Sequence, residues 1–370
     1  MKRNKKLKIA QIAPLWVSIP PEKYGGIERI VYYLSEELVK RGHKVTLFAS
    51  GDSKTKAKLV SVYPRALKKD NIPWTDPFWN LENLSVAFRS ANQFDIVHSH
   101  LDLWALFFQE LTKTPVVHTF HNPLYTSSIT APERLPTRLK MFQIHRNTTF
   151  GCFISKSQRK LCPVKFPHNW VVYNGIDLSQ YKFYPQGDEY FAWIARIDPY
   201  KGIENAILAA EKAGVKLLLA GRLDKSRRDY FKTKIKPHLG RKIKYVGELS
   251  QEELPEFYGR AKAILYPIEW HEPFGLIMTE AMACGTPVIA FDRGSVSEVI
   301  KDKKTGFVVP MLDKKGKKNI NGIVKAIHEI ETIKREDCRK WVEKKFTYQK
   351  MTDRYEEVYY KAIEIKKKIL

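Results

Sequence analysis

The sequence predicts an α/β protein of two domains, each a parallel sheet covered by helices, and three observations carry that expectation. The chain has 370 residues with 44% apolar and 12% aromatic content, which exceeds one small core and suits two domains of ordinary size. Short apolar runs alternate along it with stretches of helical period, the pattern of βα units. The clearest unit is 271–291, which reads loop, helix, strand. Pro273 holds the chain extended, good helix formers run from Gly275 to Ala283, Gly285 and Pro287 stop them, and Val288-Ile289-Ala290-Phe291 is a buried strand.

Taken in order, 8–13 is the first predicted strand. The loop 18–26 ends in Gly25 and Gly26 at a helix start, where backbone can approach a ligand closely. It is not the G-x-G-x-x-G dinucleotide pattern, which counts against a dehydrogenase. Ile30, Val31, Leu34, Leu38 and Val39 recur at helical spacing through 27–40, Arg41-Gly42-His43 ends that helix, and 44–49 is the next strand. The proline-rich and aromatic stretch 51–79 is predicted to be loop, and it is either a site of substrate recognition, on the acceptor side if the chain transfers a group, or surface decoration. Residues 94–100 and 115–123 are strands that each run into histidines. His98, His100, His118 and His121 invite a metal, yet no carboxylate recurs with them at a ligand spacing, so most read as hydrogen-bonded structure. Residues 150–155 form a strand and 156–161 a helix; 170–173 is a short strand that ends in the Asn174-Gly175 turn, and 183–189 reads as a linker.

In the second half, 190–195 begins a fresh strand, and Arg196 and Lys201 lie in the loop before a helix that runs to Ala213. Two cations over a strand end suit a diphosphate, Arg as a planar fork and Lys as a mobile point charge. Strands follow at 215–222, 243–247 and 263–267, with a helix at 251–259, and the last of these strands delivers Glu272. The helix that starts beside Gly275 offers unpaired N–H groups and a positive dipole end to an anion. Glu272 precedes that helix and Glu280 lies inside it, so the two carboxylates suit two different hydroxyls of one ligand; scattered acids on a solvated helix are the plainer alternative. A last strand falls at 306–309, and the final helical segment offers Trp341, Phe346, Tyr348, Met351, Tyr355 and Tyr359 as a broad aromatic face.

The run Glu272-Pro273-Phe274-Gly275 with Glu280, continued through Pro287, resembles the E-x7-E signature of retaining nucleotide-sugar glycosyltransferases of the GT-B fold, family 4, of bacterial or archaeal type. The resemblance extends over nearly the whole chain and is weakest between Gly51 and Phe94. It implies two Rossmann-like domains with parallel sheets facing an interdomain cleft: an acceptor-side domain at 1–184, a nucleotide-sugar-binding domain at 185–348, and a terminal helix at 349–370 that crosses back to the first. It assigns Glu272 to the transferred sugar and Glu280 to the nucleotide ribose, and places the backbone of Phe274, Gly275 and Leu276 at the donor. Tyr24-Gly25-Gly26-Ile27-Glu28-Arg29 resembles the family's loop facing the donor phosphates, Arg196 and Lys201 its diphosphate clamp, Val246 its contact to the base, and His121 its strand-end histidine beside the sugar. The reaction implied is transfer of a hexose from a UDP- or GDP-sugar to a hydroxyl acceptor with retention, by same-face attack assisted by the departing phosphate. No cofactor is expected beyond the donor. No metal is expected either, since no Asp-x-Asp motif is present and the protein's own cations take that part. A GT-B protein of other chemistry, epimerase-like or phosphorylase-like, and a silent protein that binds polyanion or membrane surface stay open at this point.

Composition bounds partners and compartment. No apolar run has the length of a membrane span. The basic start and the short run 9–14 imitate a secretion signal, but Pro14 and the lack of a small-residue cleavage site favour a buried strand. Cys152, Cys162, Cys284 and Cys338 show neither metal spacing nor a disulfide pattern, which suits a reducing cytoplasm. A formal charge of +24 attracts acidic headgroups, phosphorylated acceptors or nucleic acid, though the lysines are spread along the chain. The segment 134–146 mixes Arg134, Arg138, Lys140 and Arg146 with Leu135, Leu139, Met141, Phe142 and Ile144; it suits a helix at the inner face of a membrane or one packed on its own domain. No zinc finger, basic zipper or aromatic RNA motif occurs, so no specific nucleic acid is expected.

Overall fold

A computed structural model of the chain describes residues 5–23, 25–124 and 134–369. It divides into two compact units, one of Met1–Gly175 with Tyr348–Leu370 and one of Ile176–Thr347. The first unit holds β1 (Lys8–Ile12), β2 (Lys44–Phe48), β3 (Lys58–Val60), β4 (Ile96–Ser99), β5 (Val116–Phe120), β6 (Phe150–Phe153) and β7 (His168–Val171), in the sheet order β3-β2-β1-β4-β5-β6-β7. Every pairing is parallel. β4, β5 and β6 are buried at every residue, as central strands covered on both faces must be.

The second unit repeats the plan with β8 (Tyr190–Ile194), β9 (Lys216–Ala220), β10 (Ile243–Gly247), β11 (Ala263–Tyr266), β12 (Val288–Phe291) and β13 (Gly306–Val309), in the parallel order β10-β9-β8-β11-β12-β13. Each sheet grows outward from its first strand and then restarts on that strand's other side. The restart falls between β1 and β4 in one unit and between β8 and β11 in the other. Open α/β sheets bind ligands outside the carboxyl ends of the strands at such a reversal of strand order.

The boundary between units lies earlier than the expected 184/185. The Ile176 N–H donates to the Phe346 carbonyl at 2.9 Å, and Ile176 bridges Thr347. The segment expected as a linker is built into the second unit: the Tyr184 N–H donates to the Cys284 carbonyl, and the Arg335 guanidinium donates to the Tyr184 carbonyl at 2.8 Å. Hydrogen bonds of this kind outweigh the loop-like composition of 183–189. The stretch 51–79 also contains more structure than its prolines suggest, since β3 closes the sheet edge and a helix begins at Phe78 and runs to Arg89.

The terminal helix Tyr348–Ile369 packs on the first unit. Tyr355 and Tyr359 are fully buried, Tyr348 stacks on Tyr33 at 5.7 Å, and Arg41 pairs with Glu356 and with Asp353. The helix Leu135–His145 sets Phe142 into a cluster with Phe120, Phe153 and Phe166, so it is packed on its own unit, while Ile144 stays exposed. Among the described residues no helix is long and apolar enough to cross a membrane.

One close approach joins the two strand exits in the second unit. Gly202 has φ +73°, and a Cβ there would stand 1.9 Å from the Pro267 carbonyl oxygen. Gly202→Ala is therefore expected to lower stability by at least about 2 kcal/mol, from left-handed strain and the forced separation of the loops after β8 and β11. Urea unfolding followed by tryptophan fluorescence measures it.

Candidate active site

In the second unit the loop after β8 carries Arg196 and Lys201, and the loop after β11 carries Glu272. The two loops meet through charge. Lys201 Nζ donates to Glu272 Oε2 at 3.1 Å, and the same oxygen accepts from the Tyr266 hydroxyl at 2.7 Å and from Trp270 Nε1 at 2.9 Å. Lys201 also lies 4.2 Å from the Trp270 ring centroid, a cation–π contact. The Glu272 side chain is 9% exposed and that of Lys201 19%, so neither charge has enough water to stand alone. All three donors gather on Oε2. Oε1 takes none of them and keeps its lone pairs for a further donor.

The backbone of Glu272 is held as firmly. Its carbonyl accepts from the Ser295 N–H at 2.9 Å, and Ser295 Oγ donates to the Phe274 carbonyl at 2.8 Å. Gly294 has φ +67°, and a Cβ there would come within 2.2 Å of the Glu272 oxygen. Gly275, at φ +77°, starts the helix Leu276–Ala283, and no side chain caps it. The first amides of that helix therefore point outward beside Glu272, an anion-binding arrangement. Phe274 itself is 1% exposed and packs edge-on against Phe346, so only its backbone can serve a ligand.

Arg196 is 41% exposed at its side chain and stands 3.9 Å from Asp198, which also pairs with Arg227 at 3.1 Å. Asp198 caps the turn that presents Lys201, accepting from the Tyr200 N–H. Val246 lies at a register shift: Tyr245 pairs with Leu219 and Gly247 with Ala220, so Val246 is the extra residue of a bulge and its backbone leaves the ladder. Glu280 is different. It is 1% exposed, and the Tyr258 hydroxyl donates to its Oε2 at 2.8 Å, so it ties its helix to Leu254–Arg260 rather than joining the Lys201–Glu272 group.

In the first unit Gly25 precedes the helix Gly26–Lys40. A Cβ on Gly25 would lie 2.6 Å from that of Pro21 and 3.1 Å from a Glu28 oxygen, so packing requires glycine here. Tyr24 of the same motif lies outside the described residues. Glu28 is buried, and desolvation raises its pKa to about 7. His121 follows β5 and is 7% exposed, with its Nε2 2.8 Å from His100 Nδ1. Burial pushes the His121 pKa down to about 3, so the ring is neutral. Asp102 beside it has φ +42° and accepts from the Asn122 amide at 3.3 Å. His118 is also neutral, its pKa down to about 3, with Nε2 on Gln109 Oε1 at 2.8 Å.

Residues 24–180 match the family described as Glycosyltransferase Family 4, and residues 178–347 match Glycosyl transferases group 1. The chain belongs to the family 4 glycosyltransferases of the GT-B fold. Its relatives include a phosphatidyl-myo-inositol mannosyltransferase of Mycobacterium leprae, 26% identical over 83% of this chain and 84% of that one. The O-antigen chain mannosyltransferase C of Escherichia coli is 23% identical over 94% and 97%. Among solved structures, the sucrose-phosphate synthase of Thermosynechococcus elongatus superposes with a TM-score of 0.79 at 20% identity, covering 98% of this chain and 100% of that one. Anabaena HepE in complex with UDP and glucose superposes at 0.71 and 18% identity, covering 95% and 98%.

In this glycosyltransferase, sequence reasoning missed Tyr266, Trp270, Arg227, Gly294 and Ser295, which hold or surround the residues it named. A glycine-serine pair just past a buried strand was the one available signal for Gly294 and Ser295. Nothing in spacing marked Trp270 as a donor to a carboxylate two residues on.

Trp270→Phe keeps an aromatic face under Lys201 and removes one donor from Glu272. It is expected to cost about 1 kcal/mol in urea unfolding at pH 7. A separate expectation concerns acid. His118 is neutral when folded and takes a proton in the unfolded chain below its ordinary value of 6.5. Its contribution is therefore complete above about pH 6.5 and is lost as the pH falls toward about 3. His118→Gln should flatten the stability–pH slope across that window by about one proton's worth, as read by unfolding at a series of pH values.

Proposed function

We propose that this glycosyltransferase moves a hexose from a UDP- or GDP-sugar to a hydroxyl acceptor with retention at the anomeric carbon. The observation that carries the reading is the Lys201–Glu272 pair, which spans the two strand exits where the second sheet reverses, beside an uncapped helix start. One N–H of the Lys201 ammonium goes to Glu272, and the other two remain for a phosphate. With Arg196 and the amides at Gly275 and Leu276, they form a cationic, donor-rich cradle for a diphosphate. Glu272 Oε1 then accepts from a hydroxyl of the sugar attached to that diphosphate. The Val246 bulge offers free backbone to the base, and Glu280 is assigned to the ribose by resemblance. Gly25, Gly26 and His121 of the first unit are assigned to donor phosphates and transferred sugar on the same ground. The nucleotide class is supported by HepE, described in complex with UDP and glucose, and hexose transfer by the mannosyltransferase relatives.

In the step itself the bond from the anomeric carbon to the β-phosphate oxygen breaks, and the acceptor oxygen bonds to the same face of that carbon. The acceptor proton passes to the departing phosphate oxygen. Lys201, Arg196 and the helix amides stabilise the charge that develops there, which is where preorganised donors act most strongly. No side chain is assigned as a nucleophile, and no metal is assigned to the leaving group.

A panel of nucleotide sugars scored for thermal stabilisation and slow hydrolysis identifies the donor without knowledge of the acceptor. With that donor, Glu272→Ala and Lys201→Ala are each expected to lower turnover by about 100-fold or more while the protein stays folded. Full activity in either variant, or stabilisation by no nucleotide sugar, overturns the reading.

A further inference from the structure

We propose that Tyr359, on the terminal helix, is a positioning residue for His121: through Gln11 and His100 it is coupled to, and helps hold, the choice of which ring nitrogen of His121 carries the proton. The relevance of this to transfer rests on the assignment of His121 to the sugar made above; the coupling itself does not.

The network is continuous and buried. His121 Nε2 meets His100 Nδ1 at 2.8 Å, His100 Nε2 meets Gln11 Oε1 at 3.0 Å, and Gln11 Nε2 donates to the Tyr359 hydroxyl at 2.9 Å. The hydroxyl meets His98 Nδ1 at 2.7 Å, His98 Nε2 meets Thr119 Oγ1 at 2.7 Å, and Thr119 Oγ1 meets the Tyr355 hydroxyl at 3.0 Å. Gln11, His98, His100, Thr119, Tyr355 and Tyr359 are all at most 2% exposed, so water cannot replace a missing partner. Burial holds all three histidines neutral.

A neutral imidazole has one donor and one acceptor nitrogen, and a glutamine amide has a donor end and an acceptor end. Each choice therefore forces the next. Because Gln11 gives its N–H to Tyr359 and accepts at Oε1, His100 carries its proton on Nε2 and accepts at Nδ1. His121 must then donate from Nε2, which leaves Nδ1 as a lone pair. On the other side the Tyr359 hydroxyl accepts from the amide and satisfies its own buried O–H by donating to His98 Nδ1, and His98 then donates from Nε2 to Thr119. Turning the Gln11 amide over would reverse every one of these bonds together. Among the described residues Tyr359 is the link that joins the amide of Gln11 to His98, so the amide can turn over only if the hydroxyl, His98 and Thr119 reverse with it. His121 thus presents an acceptor at Nδ1, suited to a hydroxyl that donates.

The test uses the full chain labelled with 15N-histidine, His121 being assigned by its loss in His121→Asn. Long-range 1H–15N correlation is expected to show a single His121 tautomer with the proton on Nε2. In Tyr359→Phe the amide is released, and both ring nitrogens should move to intermediate shifts. Tyr355→Phe removes a hydroxyl of equal burial at the far end, beyond Thr119, and should leave the tautomer of His121 as it is. With the donor identified above, Tyr359→Phe is expected to lower kcat about fivefold at unchanged KM, and Tyr355→Phe to leave it within about twofold. An unchanged His121 spectrum in Tyr359→Phe, or the same change in both variants, overturns the coupling. An altered tautomer at unchanged kcat overturns the positioning role and points to the assignment of His121 to the sugar, while leaving the cradle around Lys201 and Glu272 to its own test.

Discussion

The candidate site of the second unit is organised by a buried attraction between opposite charges on neighbouring loops. Lys201 leaves the end of β8 and Glu272 the end of β11, and each is too deeply enclosed to be solvated alone. Removing one partner would leave the other as an uncompensated charge, a larger penalty than the pair's own net worth. The surroundings are arranged to protect this contact. Gly202 lets the backbone of one loop touch that of the other, Gly294 and Ser295 fix the Glu272 carbonyl, and Tyr266 and Trp270 fill the lone pairs that Lys201 does not use. What results is a rigid carboxylate with one oxygen committed and one available, next to a helix start whose amides have no side-chain cap. For the reaction proposed above, such a site would need little reorganisation when a diphosphate arrives, the property that electrostatic catalysis requires.

The first unit solves a different problem by related means. Its sheet buries histidines, a glutamine and a threonine on strands where an apolar residue would be usual, and it satisfies them through one another and through two tyrosines of the terminal helix. A network of this kind is costly when one member is missing and specific when all are present. It sets the registry of the terminal helix against β1, β4 and β5 more narrowly than aromatic packing alone would do.

Much of this was legible in the sequence, for reasons that differ by element. Apart from β3, the strands of both sheets were visible because central parallel strands are short continuous apolar runs, and the start of the 276–283 helix because Pro273, Gly275 and Gly285 bracket it. Arg196, Lys201 and Glu272 were named from motif context, and the structure brings the last two into contact. Less visible were features set by distant partners. The unit boundary at Gly175 depends on Ile176 bonding Phe346, and β3 is three residues long with no period to detect. The burial of Glu280 against Tyr258 could not be read from its place in the motif, since a helix position does not reveal what packs over it. Most of the four histidines read as hydrogen-bonded structure, but the joining of His98, His100 and His121 into one directed path with Tyr359 needed coordinates, because those residues lie far apart along the chain.

The sheet of the amino-terminal unit is capped by the 22-residue helix Tyr348–Ile369, which follows the other, contiguous unit in the chain. During synthesis, then, the intervening unit has all its strands and helices before the earlier one does. Until translation reaches Tyr355 and Tyr359, Thr119 lacks the hydroxyl of the first, Gln11 and His98 lack that of the second, and the surface beneath them stays uncovered. Maturation of the nascent chain must therefore run out of sequence order, with the earliest-made strands waiting longest for their final neighbour.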